Sequence, residues 1–459
     1  VNRALTDVAS VVGGHLHGED RAWHSVSTDT RTLQPGALFV ALQGPRFDGA
    51  AFVAAAAAGG AAGAIVPRRV DVDLPQVEVG DTLAALQALG RSWRRGFRRP
   101  LVAVAGSNGK TTVKEMTAAI LACGGPCLAT SGNLNNHIGV PLTLLRLDAT
   151  HRAAVVELGA NRVGDVAALM TLAEPTASII TNAGDEHLEG FGDLDGVARG
   201  EGEAIGGLGR DGIAIINADD AYAGYWREVA GERRTRSFGV REAADYSARD
   251  IRHAIEDAGF VTRFTLAAPG GTRAITLHAG GAHNVLNALG AAAAASAAGA
   301  SLDDIVTGLG RFRPVGGRLQ LKPGLRGSWI IDDSYNANPS SVRAGLDVLR
   351  TLPGPTWAVL GEMAELGAAA AGAHADIGAH ARACGVERLF CSGPTTPLAV
   401  AAFGAGAEWF ADVESLTARV RAELPAAATV LVKGSRVNRL ERVVAALAPE
   451  AAEAVAGVH

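Results

Sequence analysis

The sequence predicts an α/β protein built as three domains, and three observations carry that prediction. At 459 residues the chain exceeds what one ordinary core organises, since domains of roughly 100–200 residues are the norm. Short apolar runs alternate with helical patterns through most of its length, the mark of parallel strands covered by helices. Two stretches interrupt the alternation: the arginine-rich "RSWRRGFRRP" (91–100) and the Gly- and Pro-punctuated "GLGRFRPVGGRLQ" (308–320). Breaks at these points divide the chain into residues 1–97, 98–313 and 314–459.

Each segment supports the assignment in its own way. In the first, "ALFVAL" and "GAIVP" predict strands of a small α/β domain. In the middle segment "LVAVAG", "AAVVELG", "ASIITNAG" and "GIAIINADD" read as strands of a parallel sheet. The last repeats the style with "SWIIDDSYN", "TWAVLGEM", "RLFCSG" and "TVLVKGS", which reads as a second, Rossmann-like unit. Alanine and glycine crowd into residues 50–64, 288–300 and 364–375. Beside apolar runs these predict tightly packed helices, alanine being the best helix former. No fixed-period repeat is present.

Composition excludes several classes of function. With 48% hydrophobic and 19% charged residues, the chain reads as a globular, cytoplasmic protein: no uncharged apolar run approaches the roughly 18 residues of a membrane span, and no basic segment followed by an apolar core opens it. A formal net charge of -5 argues against nucleic-acid binding through backbone neutralisation. The cysteines, Cys123, Cys127, Cys384 and Cys391, show neither C-x-x-C spacing nor His partners at zinc-finger distances, and read as reduced, mostly buried thiols. Of 42 Lys plus Arg only four are lysines, Lys110, Lys114, Lys322 and Lys433. A chain that uses arginine for generic charge keeps lysine where a compact ammonium is needed, which marks Lys110 and Lys433.

Lys110 lies in "VAVAGSNGKTTVKEM" (102–116). A Gly-rich turn after a strand aims backbone N–H groups at an anion, and the helix starting near Thr111 adds its N-terminal partial charge. Gly106, Ser107, Asn108, Gly109, Lys110, Thr111 and Thr112 therefore form a candidate phosphate loop, with Lys110 on the outer phosphates and the Thr111 hydroxyl on a magnesium ion. It is a short form of the Walker pattern, since Val104 stands where the full motif has glycine. The middle segment thus reads as a P-loop ATPase-like domain. Glu157 ends the apolar run of "AAVVELG", at the sheet edge where parallel sheets bind ligands.

"GSNGKTT", followed by "SGNLNNHIGVPLTLL", resembles the Mur ligases of bacterial cell-wall synthesis. The resemblance runs from about residue 27 to about residue 445 and includes "STDTR", "GALFVALQGPRFDG", "ELGAN", "TNAGDEHLEGFG", "AHNVLNALGA", "GGRLQ", "LGEMAELG" and "VKGSR". "DDSYNANP" is the form of the dipeptide-adding branch, where the diamino-acid-adding branch has an Asp-Tyr-Ala-His type of sequence.

The resemblance implies an ATP- and Mg2+-dependent ligase whose substrates are UDP-N-acetylmuramoyl-tripeptide and D-Ala-D-Ala. ATP would phosphorylate the peptide carboxylate, and the amine would attack the acyl phosphate. It further implies that Glu157 and Thr111 hold a first Mg2+ and that His187 serves a second. Asn287 would face adenine, with Arg318 and Asp332 near the phosphates and ribose. Thr28, Asp29 and Arg31 would hold the UDP end in a UDP-sugar-binding first domain, and Asn336 and Asn338 would lie near the dipeptide.

One position departs from the family. In "GVARGEGEAI" it commonly has a lysine carbamylated by CO2 that supports the second Mg2+, and this chain has Glu201. Glu201 is expected to take over that charge; the alternative is a solvated surface acid in a catalytically silent binder of UDP-muramyl peptides. Another Mur-type amino-acid ligase stays open. Folylpolyglutamate synthase is disfavoured because its loop continues with Gly-Ser where this chain has Thr111 and Thr112, and a GTPase because no N-K-x-D motif is present. The sequence leaves the tripeptide's third residue open and carries the expectation of a monomer.

Overall fold

Apolar runs form the buried central strands of the three larger sheets. The computed structural model describes residues 3–44, 47–256 and 259–449. Residues 1–2, 45–46, 257–258 and 450–459, which fall within the three predicted domains, lie outside the described residues.

The first sheet takes β1 (His15–His17), β2 (Ser25–Ser27), β3 (Ala37–Val40), β6 (Gly63–Val66) and β7 (Gln76–Glu78) in the order β1-β7-β6-β3-β2; β4 (Gln43–Gly44) and β5 (Phe47–Asp48) pair separately. Asp81 then caps the helix Thr82–Gly96 through the N–H groups of Leu83 and Ala84, which satisfies donors the helix cannot. The arginines of "RSWRRGFRRP" are not a loose linker. Arg91 and Arg95 pair with Glu174, and Arg94 donates to the Ala173 and Glu174 carbonyls.

The second sheet contains the predicted parallel strands β8 (Leu101–Ala105), β10 (Ala153–Glu157), β11 (Ala177–Ile180) and β12 (Ile213–Asn217), together with β9 (Cys127–Ala129) and β13 (Arg234–Gly239), which the sequence reading did not name; β8 lies between β10 and β11. The chain leaves β8 toward one side of the sheet and later crosses to the other, so a crevice opens at the carboxyl ends of β8, β10 and β11. The sequence reading omitted β14 (Tyr246–Glu256), β15 (Gly259–Ala268) and β16 (Gly271–Leu277), which extend this sheet, β14 joining β13 in parallel and β15 and β16 adding antiparallel ribbons. Their mixed polar and apolar faces break the pattern of continuous burial that marks the central strands.

The alanine run of residues 288–300 falls largely in the helix Ala282–Ala297, whose inner residues are fully buried on the sheet. Of residues 50–64 only Val53–Ala58 are α-helical, flanked by a 3-10 turn and β6. The third sheet orders β17 (Gln320–Pro323), β18 (Trp329–Asp333), β22 (Thr429–Lys433), β19 (Thr356–Gly361), β20 (Arg388–Ser392) and β21 (Ala407–Phe410). All of its pairs are parallel except β17–β18. No helix among the described residues is long and apolar enough to cross a membrane.

Candidate active site

The turn between β8 and the helix Lys110–Leu121 is shaped by two glycines, Gly106 and Gly109, with φ of 111° and 84°. Residues with a Cβ rarely adopt that region. A Cβ on Gly106 would run into Thr181 Oγ1, and one on Gly109 into Asn287 Oδ1. The loop is thus pressed between the end of β11 and the first turns of the Ala282–Ala297 helix. Val104 is buried inside β8, so the short form of the motif begins its turn two residues later.

Charge is concentrated and interlocked here. Lys110 Nζ donates to the Gly106 carbonyl at 2.6 Å, the Ser107 carbonyl at 3.0 Å and Glu186 Oε1 at 2.8 Å. Burial works against the ammonium, yet the charges of Glu186, Glu201 and Glu157 outweigh it and hold its pKa above the ordinary value. The Thr111 hydroxyl donates to Glu157 Oε2 at 2.9 Å, and Asn135 Nδ2 donates to the other oxygen at 2.8 Å. Glu201, 2% exposed on the helix Leu194–Gly206, accepts the Gly106 N–H at 2.6 Å. Burial pushes its carboxyl up to about 7 against the pull of Lys110. A solvated surface acid it is not.

Residues of the third sheet close the loop from the other side. Asn338 caps the helix Pro339–Leu349 and donates to Asn108 Oδ1 at 2.8 Å, while Asn108 Nδ2 donates to Ser340 Oγ at 2.9 Å. Ser107, Asn108, Lys110, Thr111, Thr112, Glu157, His187, Asn287, Arg318, Asn336 and Asn338 all line one cleft of about 650 Å³, within the range of small-molecule sites. Another cleft, of about 590 Å³ and lined by Trp93, Phe97, Arg98 and Arg99, contains none of the predicted residues.

One predicted placement needs correction. Asp332 does not face the cleft: its carboxylate receives Lys322 Nζ and the Ser334 hydroxyl, each at 2.6 Å. Successive strand residues point to opposite faces, so its neighbour Asp333 lines the cleft instead and pairs with Lys433 Nζ at 2.6 Å. His187, at φ 51°, turns its ring to the Glu365 carboxylate. Among the described residues His187, Glu157 and Glu201 do not converge as a compact ligand set.

The other predicted residues stand apart or in different company. Asn287 packs on the phosphate loop at Gly109 and donates to Asn284 Oδ1 at 3.1 Å. Arg318 lies 4.3 Å over the Tyr335 ring, and the Asn336 carbonyl accepts Lys433 Nζ at 2.9 Å. Thr28, Asp29 and Arg31 form a turn outside the cleft, where Arg31 Nη2 pairs with Asp29 Oδ2 at 2.6 Å.

Sequence reasoning missed Glu186, Asn182 and Asp333. Glu186 is the partner of Lys110, and Asn182 braces the loop by accepting the Asn108 N–H at 3.1 Å and donating to its carbonyl at 2.9 Å. Each sits in a motif the sequence flagged, one to five residues from the position chosen.

Comparison with known proteins places this geometry. Three family models match successive parts of the chain: "Mur ligase family, catalytic domain" over residues 22–94, "Mur ligase middle domain" over 104–295 and "Mur ligase, glutamate ligase domain" over 317–436. A curated relative, UDP-N-acetylmuramoyl-tripeptide--D-alanyl-D-alanine ligase of Escherichia coli (strain K12), is 43% identical over 97% of this chain and 98% of its own. A crystal structure of MurF from Acinetobacter baumannii superposes with a TM-score of 0.90 at 33% identity, covering 97% of this chain and 98% of that one. MurF ligase from Thermotoga maritima in complex with ADP gives a TM-score of 0.79 at 26% identity, covering 92% and 96%.

Proposed function

The chain belongs to the Mur ligase family, and from that premise we propose that it joins D-Ala-D-Ala to UDP-N-acetylmuramoyl-tripeptide in peptidoglycan precursor synthesis. It is an ATP-dependent, ADP-forming ligase. The γ-phosphoryl group of ATP passes to the carboxylate at the peptide end of the UDP-sugar. The amine nitrogen of D-Ala-D-Ala then attacks the acyl carbon, the amide bond forms and phosphate leaves. The carrying observation is the phosphate loop, whose Lys110 ammonium is anchored by Glu186 and two loop carbonyls.

Both steps gather anions, so positioning and charge neutralisation supply most of the catalysis. Lys110 faces the outer phosphates, and the N–H groups of residues 106–112 with the helix N-terminus cradle the rest. Asn108, Asn338 and Ser340 bind the C-terminal segment to the loop, which excludes water once the domains close. Asn287, Arg318 and Asp333 line the nucleotide's side of the cleft.

Thr111 and Glu157 are the residues that would hold a magnesium ion. Both present the oxygen donors a hard cation prefers, and Thr181 Oγ1 is buried beside the loop with no partner among the described residues, in keeping with a pocket built for a polar ligand. Bound there, the ion neutralises charge on the phosphate oxygens. Glu201 ties down the loop at Gly106 and, in its ionised form, supplies a carboxylate charge without CO2. Thr28, Asp29 and Arg31 hold the UDP end. The domains are residues 1–97, 98–313 and 314–459, and the enzyme works as a monomer in the cytoplasm, where ATP and its nucleotide-linked substrate are found.

The test is ADP release measured with UDP-N-acetylmuramoyl-tripeptide, with and without D-Ala-D-Ala. Sustained turnover is expected only with both, and D-Ala-D-Ala should far exceed D-Glu, diaminopimelate or Lys as amine. Efficient use of one of those amino acids would move the chain to another ligase of the family, and no ADP release under any combination would make it a silent binder.

A further inference from the structure

Cys384 is not the isolated thiol its sequence spacing implies. Its Sγ lies 3.5 Å from His380 Nε2 and 3.7 Å from Asp347 Oδ1, and His380 Nε2 lies 3.3 Å from the same carboxylate oxygen. His380 and Cys384 are four residues apart at the end of the helix Ala370–Ala383, so they share a face. Gly385, at φ 79°, turns the chain away, and the Val386 N–H bonds back to the Ala381 carbonyl at 3.1 Å, which fixes Cys384 on that face. Asp347 comes from the helix Pro339–Leu349 packed alongside.

The three separations describe one face of a tetrahedron. Zinc bonds of about 2.3 Å to sulfur, 2.0–2.1 Å to nitrogen and 2.0–2.2 Å to carboxylate oxygen, set at tetrahedral angles, give edges of roughly 3.6 Å for S–N, 3.3–3.5 Å for N–O and 3.5–3.7 Å for S–O. Each observed edge falls within about 0.2 Å of these, the tolerance expected of a real site. A Cys-His-Asp nucleophile would need the carboxylate on the other ring nitrogen, whereas here thiol and carboxylate both meet Nε2.

The geometry points to a site for zinc, or a similar borderline divalent transition metal, ligated by Asp347, His380 and Cys384, with a fourth position open to solvent beside the exposed Asp347 carboxylate. Asp347 lies nine residues beyond Asn338, about 14 Å along the same helix at 1.5 Å per residue. The ion would therefore clip one end of the helix whose other end meets the phosphate loop.

Cobalt(II) added to the chelator-treated full chain tests this. One cobalt per chain should appear with a thiolate-to-metal charge-transfer band and the strong visible absorption of tetrahedral coordination, and an equivalent of Zn2+ should displace it. The band should vanish in Cys384→Ser, weaken in His380→Gln and persist in Cys123→Ser. In parallel, Zn2+ should raise the Tm of the wild type and not of Asp347→Ala, a change at an exposed position. A wild type without the band, a band that survives Cys384→Ser, or a Tm response retained in Asp347→Ala overturns the site.

Discussion

The phosphate loop and the Asp29 turn are both short polar runs that follow a strand, and they are held in opposite ways. Residues 106–112 are fixed from far along the chain: Glu201 on Gly106, Asn182 on Asn108, Glu186 on Lys110, Glu157 on Thr111 and Asn338 on Asn108. The Asp29 turn closes on itself: among the described residues Asp29 bonds only with Ser27, Arg31 and Thr32. A polar group held by distant, buried partners has its geometry set before a ligand arrives, which is what electrostatic catalysis requires. A turn that pairs with itself in water carries no such mark, whatever it binds.

The sharpest way to break the contrast is Lys110→Ala. Turnover should fall on the order of a thousandfold, in line with the loss of a preorganised electrostatic donor, with the circular dichroism spectrum unchanged. The variant also leaves Glu186, Glu201 and Glu157 without their cation, so its Tm should fall at neutral pH. Adding Glu186→Gln should restore part of the Tm and none of the activity. Wild-type rates in Lys110→Ala would remove the loop from the chemistry.

Glu201→Gln comes next. The amide keeps an acceptor for Gly106 and loses the charge, so kcat should drop roughly tenfold to a hundredfold, matching the roughly 1.5–3 kcal/mol of a hydrogen bond to a charged group. The wild type should keep full activity in a CO2-depleted assay. A Glu201→Gln enzyme as active as the wild type, or a wild type that needs bicarbonate, defeats the idea that this carboxylate replaces a carbamate.

What the sequence made legible follows from the range of the forces involved. Continuous apolar strands and glycine-bounded turns are local signals, and every strand so read in the parallel sheets is present. The ribbons β14 to β16 were lost because strands outside the buried core mix their faces. All four lysines are ion-paired, with Glu186, Glu115, Asp332 and Asp333, as many of the arginines are. Lys114, which the sequence reading did not single out, is buried and its ammonium also donates to the Thr130 carbonyl at 2.8 Å. Choosing between Asp332 and Asp333 required knowing which face of β18 meets the cleft, and motif spacing does not contain that. The sequence reading passed over His380, four residues before Cys384, and the third member, Asp347, comes from another helix.

The smallest effect belongs to the turn, through Asp29→Asn. The hydrogen bond from the Arg31 side chain, followed by that from its backbone N–H, lowers the Asp29 pKa to about 2. A folded pKa below the unfolded value means the group stabilises the fold above the unfolded pKa of about 3.9 and ceases to do so as pH falls through the folded value. The Tm difference between wild type and Asp29→Asn should therefore be small and constant above about pH 5, and should disappear between about pH 4 and pH 2. Because Arg31 is largely exposed, salt should shrink it further. If the turn also holds the UDP end, the KM for the UDP-sugar should rise by less than about tenfold, under 1.4 kcal/mol of binding, with the KM for ATP unchanged. A KM for the UDP-sugar equal to that of the wild type would leave the pair a structural cap alone, and a tenfold or larger rise would show that a self-paired surface turn can carry as much binding as the interlocked loop.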